Sequence, residues 1–476
     1  MISEADIVRW KYNTKDIIYT WEIASILEDQ ISKESVKLQE FHSFQQSELA
    51  PALVDIMNSG IRIDLKKKEE LHEQLSKLSA EVEEKINYLL DEPFNTRSVA
   101  QVKMIFQDLL KIKAKLNKKS GNATFGTEAM WSYLEEYPVY RTLIKLILEL
   151  RSINVFLRTF LSAKVDDDGR MRTNYNVAGT STYRLASRKN AFGAGMNLQN
   201  VPSKGKIDLK YAFMAVEGSD DDSELYIEGA EAQSEGITEL PNCKTLFIPD
   251  PGYTFFDIDY SGADARVVAW DSDCKFLMEI FNDDSLDLYS VLASEYFKRK
   301  ITKKDKERQT FKAVCHATNY LGKAPTIAGR AGLLVAEVDM VQKWYFSACP
   351  EVKKWQDRII KETNSRGYIE NVFGARGWFL DRTDKNLYNK AVAWVPQSTI
   401  GILVNNGLVN IAKAEPKDKV QVLLQTHDSL SGQFRSSDKE AADRIVKHMS
   451  IELKYSKPLV IPAGIKTSTI SYGDCE

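Results

Sequence analysis

Two carboxylates inside an otherwise apolar strand constrain this chain more than any other feature. In GYTFFDIDYSGADARVVAW, residues 252–270, Phe255, Phe256, Ile258, Val267 and Val268 read as core, yet Asp257 and Asp259 interrupt the run. Residues two apart in a strand share a face, so both acids point the same way with alpha carbons about 7 Å apart. At an effective dielectric of 20 their repulsion is about 2 kcal/mol. A core strand accepts that where a cation is near, where one acid is protonated, or where that face meets water. Taken alone, the segment also fits a strand end with one wet face.

Residues 425–430, QTHDSL, set Asp428 on a tight turn after an apolar strand, presented much as Asp259 is. Two acids on neighbouring strand ends make an oxygen-rich site suited to Mg2+, a hard ion that keeps waters and recruits phosphates. A pair of such ions activates an attacking hydroxyl and steadies the leaving oxygen in phosphoryl transfer. A third segment, ERQTFKAVCHATNYLGKAP at 307–325, spaces Arg308, Lys312, His316 and Tyr320 every four residues. On a helix that spacing gives one slowly drifting stripe. Thr302 with Asp305 predicts its start, and Gly322 with Pro325 its end. Two cations followed by two rings suit a triphosphate followed by a base. An ordinary basic surface helix has the same spacing.

With 476 residues and 43% hydrophobic content, the chain is long enough for a large core and more than one lobe. Its net charge of −3 neither favours nor excludes a nucleic-acid partner. Local charge says more: 297–312 and 111–119 are basic, and 217–239 is acidic. Each such run also suits a solvated face. The five cysteines (243, 274, 315, 349, 475) have no paired spacing, which suggests a reducing cytosol and neither a disulfide frame nor a zinc site. No apolar stretch approaches the roughly 18 residues of a membrane span, and MISEADIVRW lacks a signal core. A cytoplasmic protein with no membrane partner is expected.

The first 90 residues read as helical, with Asp64 a predicted N-cap and Leu71, Leu75, Leu78, Val82, Ile86 and Leu89 at helical spacing. This pattern fits a short coiled coil or a packed helical hairpin. Ser98 and Gln101 predict a capping box, and 138–164 continues helical. Residues 166–187 change to Gly, Thr and Asn with short strand-like pieces, and 204–243 reads as an acidic surface excursion. Helices dominate 263–366, 366–379 reads as a hairpin, 387–414 as a helix, and 420–434 as the last strand pair.

Together these segments resemble family A DNA polymerases, the bacterial DNA polymerase I class with its phage relatives. DYSGADAR (259–266) resembles that family's first palm motif, RQTFKAVCHATNY (308–320) its fingers helix, and THDSL (426–430) its second palm motif. TNYNVAGTSTYRLAS followed by NLQNVP is similar to the segment that holds the primer-template minor groove, FNTRSVAQ to a thumb signature, LFIPDPGY to the approach to the catalytic strand, and VPQSTIG to a later palm helix. The motifs keep the family's order from about residue 48 to the end.

The resemblance implies a mixed α+β right-hand fold, with an antiparallel palm sheet and mainly helical thumb and fingers. It assigns 48–203 to the thumb and start of the palm, 204–243 to the insert, 244–280 to the palm, 281–365 to the fingers and 366–476 to the palm. It implies template-directed addition of deoxynucleoside triphosphates to a primer-template DNA, with two Mg2+ ions for which Mn2+ can substitute. Asp259, Asp428 and the Tyr260 carbonyl would hold the metals. Arg308, Lys312, His316, Tyr320, Asp264, Tyr260, Ser261 and Gly262 would meet the nucleotide, with Lys312 also catalytic. Arg184, Gln199, Gln397 and His427 would touch DNA. Asp257 is left outside the metal set, as a supporting or simply wet acid.

Several positions depart from the family. Asp264 stands where Glu is usual and is one methylene shorter, which predicts weaker rejection of ribonucleotides. His316 replaces Phe or Tyr, Ser429 a Glu, Tyr289 a His, and Leu321 a Gly, the last expected to stiffen the helix end. KYNTKD, with Tyr12 and Asp16, is similar to the final Tyr-x3-Asp motif of the 3′–5′ exonuclease that precedes many family polymerases. Residues 1–47 then read as a helical remnant of that domain, inactive as a nuclease by itself, with a separate exonuclease polypeptide as a possible occupant of residues 1–45. The short, divergent motifs suggest a phage origin and a bacterial host's cytoplasm. A non-catalytic DNA-binding subunit and a two-metal phosphodiesterase are the competing readings. Intact Asp259, Asp428, Arg308 and Lys312 oppose the first, and the nucleotide-stacking stripe opposes the second.

Overall fold

The structure, a computed structural model, describes every residue except 1–2, 117–120, 122, 191, 203–204, 207–238, 284 and 476. The alternation in residues 252–260 builds the centre of its main sheet. Strands β1 (Tyr253–Tyr260), β2 (Val420–Thr426), β3 (Ser429–Arg435) and β4 (Ala463–Ser468) lie in the order β2-β3-β1-β4, antiparallel throughout. Phe256 and Ile258 are fully buried on one face of β1, where Phe256 stacks on Phe434 at 6.3 Å. On the other face Phe255 stacks on Tyr472 at 5.3 Å. The 420–434 pair is not the last: β4 returns along β1 and closes that side of the sheet. Its sequence, AGIKTS, has no apolar run to announce a strand, because an edge strand needs to bury little.

Near the N-terminus, α1 (Glu4–Ser32) carries eleven exposed large apolar residues, among them Trp10, Tyr12, Tyr19 and Trp21. They form two stripes on opposite sides of the helix, one through Ile7, Trp10, Ile17 and Trp21, the other through Val8, Tyr12, Tyr19, Ile23 and Ile26. α2 (Val36–Phe44) follows and buries Phe41. α3 (Leu65–Leu90) starts at the expected cap, where Asp64 accepts from the Lys67 N–H at 3.0 Å. It packs along α4 (Arg141–Val155), burying Leu75, Val82 and Ile86, so the heptad-like pattern serves a packed helix pair. Ser98 caps the next helix as expected, but Gln101 reaches back to the Asn95 N–H instead of closing the box on Ser98. The acidic excursion is bracketed by a pairing of 205–206 with 239–240. Leu240 and Cys243, at its far end, already belong to the core, and the run at 217–239 lies almost wholly outside the described residues.

The stretch after β1 is helical, as its composition predicts: α5 (Ala263–Asp271), α6 (Leu288–Phe297), α7 (Lys306–Asn319), α8 (Val335–Ala348) and α9 (Pro350–Arg366). Phe311 of α7 anchors this group, with Tyr296, Phe297 and Trp344 at centroid distances of 5.2, 5.8 and 5.8 Å. α7 begins later than a Thr302 cap would place it. Asp305 turns backward to accept from Thr302 N and Oγ1, at 2.6 and 2.8 Å, so the helix starts at Lys306. Its end is a left-handed turn at Leu321 (φ 60°), with the Gly322 N–H returning to the Ala317 carbonyl at 2.8 Å. Leu321 therefore occupies a left-handed backbone region that glycine enters without steric cost, and the leucine carries that strain at the helix end. The hairpin Tyr368–Glu370/Arg376–Trp378 and α10 (Leu387–Ala414) follow as expected. α10 is buried on nearly every face and runs continuously through Pro396, and α11 (Ala441–Met449) packs on it.

Candidate active site

The antiparallel register brings the two expected acids together. Ser429 lies opposite Asp259 and Ser431 opposite Asp257, so Asp428, at the β2–β3 turn, stands one residue from the partner of Asp259. Asp257 is used within the sheet: Ser431 Oγ donates to it at 2.7 Å, and Lys466 faces it across β4. That resolves the opening difficulty. One acid of the strand is satisfied by neighbouring strands, and the other stands at the exposed strand end.

The turn itself is held open in an uncommon backbone state. His427 has φ 37°, left-handed for a non-glycine residue, and its carbonyl accepts from Gln425 Nε2 at 3.1 Å. Gln425 is pinned in turn, its N–H donating to Tyr175 Oη at 2.8 Å and its carbonyl accepting from Gln199 Nε2 at 3.2 Å. Gln199 also accepts from the Ser187 N–H at 2.9 Å. Its amide is thus engaged inside the protein, bracing the strand that delivers Asp428. Thr426 and Ser429 close the turn through their hydroxyls.

Charge converges here. Burial lifts the Asp428 carboxyl above the usual carboxylate range; Arg184 opposes this, and the negative charges of Asp264 and Asp259 add to it. Burial, with Arg184 nearby, depresses His427 to about 4, so its ring is neutral at physiological pH. An acid cluster of this kind, partly dry and partly exposed, favours a divalent cation. Asp259 and Asp428, with the Tyr260 carbonyl next in the strand, are the candidate groups for one. Among the described residues no three His, Cys, Asp or Glu side chains converge as a metal cluster.

Asp264 is the second residue of α5, two after Gly262, whose left-handed φ of 60° turns the chain from strand to helix. Ser261 and Gly262 are exposed, and the Ser261 N–H donates to the Pro462 carbonyl at 2.9 Å. Asp264 Oδ1 and Tyr320 Oη are both buried and complete no hydrogen bond among the described residues, and the negative charge of Asp264 acts on Tyr320. Burial, then Asp264, pushes the Tyr320 hydroxyl well up, so it stays protonated. His316 meets Tyr320 edge-on at 5.0 Å, and burial lowers its pKa. Asn389 of α10 donates to the Tyr320 carbonyl at 2.9 Å, tying the end of α7 to α10.

At the other end of the stripe, Arg308 is paired bidentately with Asp287, at 2.9 and 2.7 Å, and lies 6.0 Å from the Tyr289 ring. Asp287 also caps α6 through Ser290. Burial raises the Asp287 carboxyl, but the bonds from Arg308 and Ser290 outweigh it and hold it at about 2. Residue spacing did not reveal Asp287; its D-x-x-S pattern ahead of an apolar helix was the available signal. Gln397 is buried on the face of α10 that also carries Gly401, against which Arg184 packs. The structure therefore gathers Asp259, Asp428, Asp264, His427, Arg184, His316 and Tyr320 into one neighbourhood, with Arg308 and Lys312 further along α7.

Comparison with known proteins gives one answer. The profile of DNA polymerase family A matches residues 65–469. DNA polymerase I of Chloroflexus aurantiacus is 25% identical over 95% of this chain and 45% of its own length. The thermostable DNA polymerase I of Thermus aquaticus is 22% identical over 88% of this chain and 46% of its own. This chain thus spans less than half the length of these relatives. In fold it is similar to the POL domain of Pol1 from M. smegmatis, solved in complex with DNA primer-template and dNTP. That likeness has a TM-score of 0.73 at 20% identity and covers 91% of this chain and 71% of that one. Among the described residues no helix is long and apolar enough to cross a membrane.

Proposed function

The chain belongs to DNA polymerase family A, and from that membership we propose that it extends a primer 3′ end by template-directed addition of deoxynucleotides. Its fold is the mixed α+β right-hand architecture, with the antiparallel sheet as palm. Within it we assign 48–203 to the thumb and start of the palm, 244–280 and 366–476 to the palm, and 281–365 to the fingers. The primer hydroxyl oxygen attacks the α-phosphorus of the incoming nucleotide, a new phosphodiester bond forms, and the α–β phosphoanhydride breaks to release pyrophosphate.

The observation that carries this reading is the meeting of Asp259 and Asp428, through the Ser429–Asp259 register, near the Tyr320 end of the α7 stripe. Asp259, Asp428 and the Tyr260 carbonyl would hold two Mg2+ ions, or Mn2+ in their place. When bound, these ions activate the primer hydroxyl and neutralise the departing pyrophosphate. Arg308 and Lys312 attract the triphosphate and orient it along α7. His316, Tyr320 and Asp264 line the nucleotide, with Ser261 and Gly262 beside the metal-bearing strand end. Arg184, Gln397 and His427 meet the primer end, while Gln199 acts by bracing β2. Contacts of this kind to backbone and minor groove suit synthesis that is blind to sequence.

The exposed α1 supports one further part of the reading. Tyr12 and Asp16 both project into solvent, and two apolar stripes on opposite sides of one helix suit burial between parts of another polypeptide. We assign residues 1–45 as the docking element for a separate 3′–5′ exonuclease polypeptide. A phage-encoded enzyme working in a bacterial cytoplasm fits these features. The deciding experiment is primer extension with Mg2+ by the wild type and by Asp428→Asn: extension by the first and none by the second is expected, and equal extension overturns the reading.

A further inference from the structure

Seven non-glycine residues in the described structure have left-handed backbone, and three of them adjoin the site: Tyr183 (φ 59°) precedes Arg184, Leu321 follows Tyr320, and His427 precedes Asp428. A bulky side chain persists in that region only where its surroundings over-determine it. At Tyr183 the surroundings come from three separate elements. Its ring meets Phe41 of α2 edge-on at 4.9 Å and Trp394 of α10 at 6.3 Å. Its hydroxyl donates to the Arg376 carbonyl, in the 368–378 hairpin, at 2.8 Å. The neighbouring backbone is pinned as well: Trp394 Nε1 donates to the Ser181 carbonyl at 2.7 Å, and Thr180 Oγ1 donates to the Arg184 carbonyl at 2.7 Å.

The residue this clamp presents is Arg184. Its backbone and Cγ lie so close to Gly401 that an added Cβ there would sit 3.2–3.5 Å away. Its Nε is buried and completes no hydrogen bond among the described residues, and its charge acts on Tyr320, His427 and Asp428. A buried donor left without an acceptor is costly unless a ligand supplies one.

We infer that Tyr183 is a positioning residue: its clamped ring holds the left-handed turn that aims Arg184 at the catalytic turn, ready for an acceptor on the primer-template minor groove. This rests on the polymerase reading and adds a part to it. The same clamp links α2 to the site, because Arg376, which accepts from Tyr183, also pairs with Glu34 at 2.8 Å just before α2. A ring that merely filled the core would affect stability alone.

The test uses the full chain with Mg2+ and a primer-template, measuring DNA affinity by fluorescence anisotropy and extension kinetics for each substrate. Tyr183→Gly is expected to weaken primer-template affinity and matched-end extension about tenfold while leaving KM for dNTP within about twofold. Tyr183→Phe keeps the ring contacts and stays within about twofold of wild type. In an Arg184→Ala background Tyr183→Gly adds nothing further. Wild-type behaviour of Tyr183→Gly, or a further tenfold loss in the Arg184→Ala background, overturns the inference. Should Tyr183→Gly fail to fold, Gly401→Ala presses on Arg184 from the other side and is expected to give the same DNA-selective loss; its absence overturns the inference equally. A wild type that neither binds nor extends primer-template removes the polymerase reading and this inference together, whereas an active wild type with unimpaired Tyr183→Gly removes the inference alone.

Discussion

Ser429 pairs with Asp259 across the β3–β1 ladder, and that single register places Asp428 beside Asp259 although helices α5 to α10 lie between them in sequence. A slip of one residue would send one of the two acids to the opposite face of the sheet. The candidate chemistry therefore depends on strand pairing, and the first prediction follows from the crowding it creates.

Asp428→Asn is expected to reduce primer extension by about 10^3-fold or more, since metal-assisted charge stabilisation contributes several kcal/mol. In chelator the same variant melts at a higher temperature than the wild type. The Asp428 carboxyl is held above its usual range by burial and by Asp264 and Asp259, so its ionised form destabilises the native state. Wild-type stability accordingly falls as pH rises through the native pKa of Asp428, and the variant loses that dependence. Calorimetry with and without Mg2+ checks both points: the ion is expected to stabilise the wild type more than Asp428→Asn.

Asp264→Glu is expected to improve discrimination against ribonucleotides by roughly tenfold or more, the scale of one methylene in a shaped pocket. Asp264 Oδ1 and Tyr320 Oη both lack a hydrogen-bond partner among the described residues, and the longer side chain reaches further toward the ring. Competition between ribo- and deoxynucleotides in single-nucleotide incorporation measures the ratio. Strong discrimination by the wild type would count against a role for the shorter acid.

The Arg308–Asp287 pair predicts an acid limb of stability. Asp287 is held at about 2, below its unfolded value, so the pair contributes fully above the usual carboxylate range and its contribution is lost as pH falls from about 4 toward 2. Asp287→Asn keeps the cap on α6 but loses the charge, and is expected to cost about 1–2 kcal/mol at pH 7 and little near pH 2. Urea unfolding at several pH values distinguishes this from a uniform loss.

Removal of residues 1–31 is expected to change unfolding stability by less than about 0.5 kcal/mol while reducing binding of an apolar dye. Trp10, Tyr12, Tyr19 and Trp21 are all more than half exposed, and α1 packs only lightly against α2. A large loss of stability on deletion would mean that α1 has a structural role within this chain.

Much of the fold was legible locally. The α10 span, the 366–379 hairpin, the Asp64 cap and the helical stretch after 263 follow from periodicity and turn residues, because those signals act over a few neighbours. β4 was not legible: an edge strand with half its residues exposed carries no apolar signature. The late start of α7 was missed because Asp305 bonds backward to Thr302, a choice between two local partners that spacing does not decide.

For the site, the sequence alone supplied the chemistry: two acids on turn-flanked strands, a cationic and aromatic stripe at four-residue spacing, and the order of the family's motifs. Only the tertiary structure showed what engages Asp257, since Ser431 and Lys466 reach it from the neighbouring strands. It also decided that Gln199 faces inward to Gln425, that Arg308 is held by Asp287, and that Tyr183 is bent left-handed to deliver Arg184. These are pairings between residues distant in the chain, and their energies depend on burial and geometry that no local pattern of residues encodes.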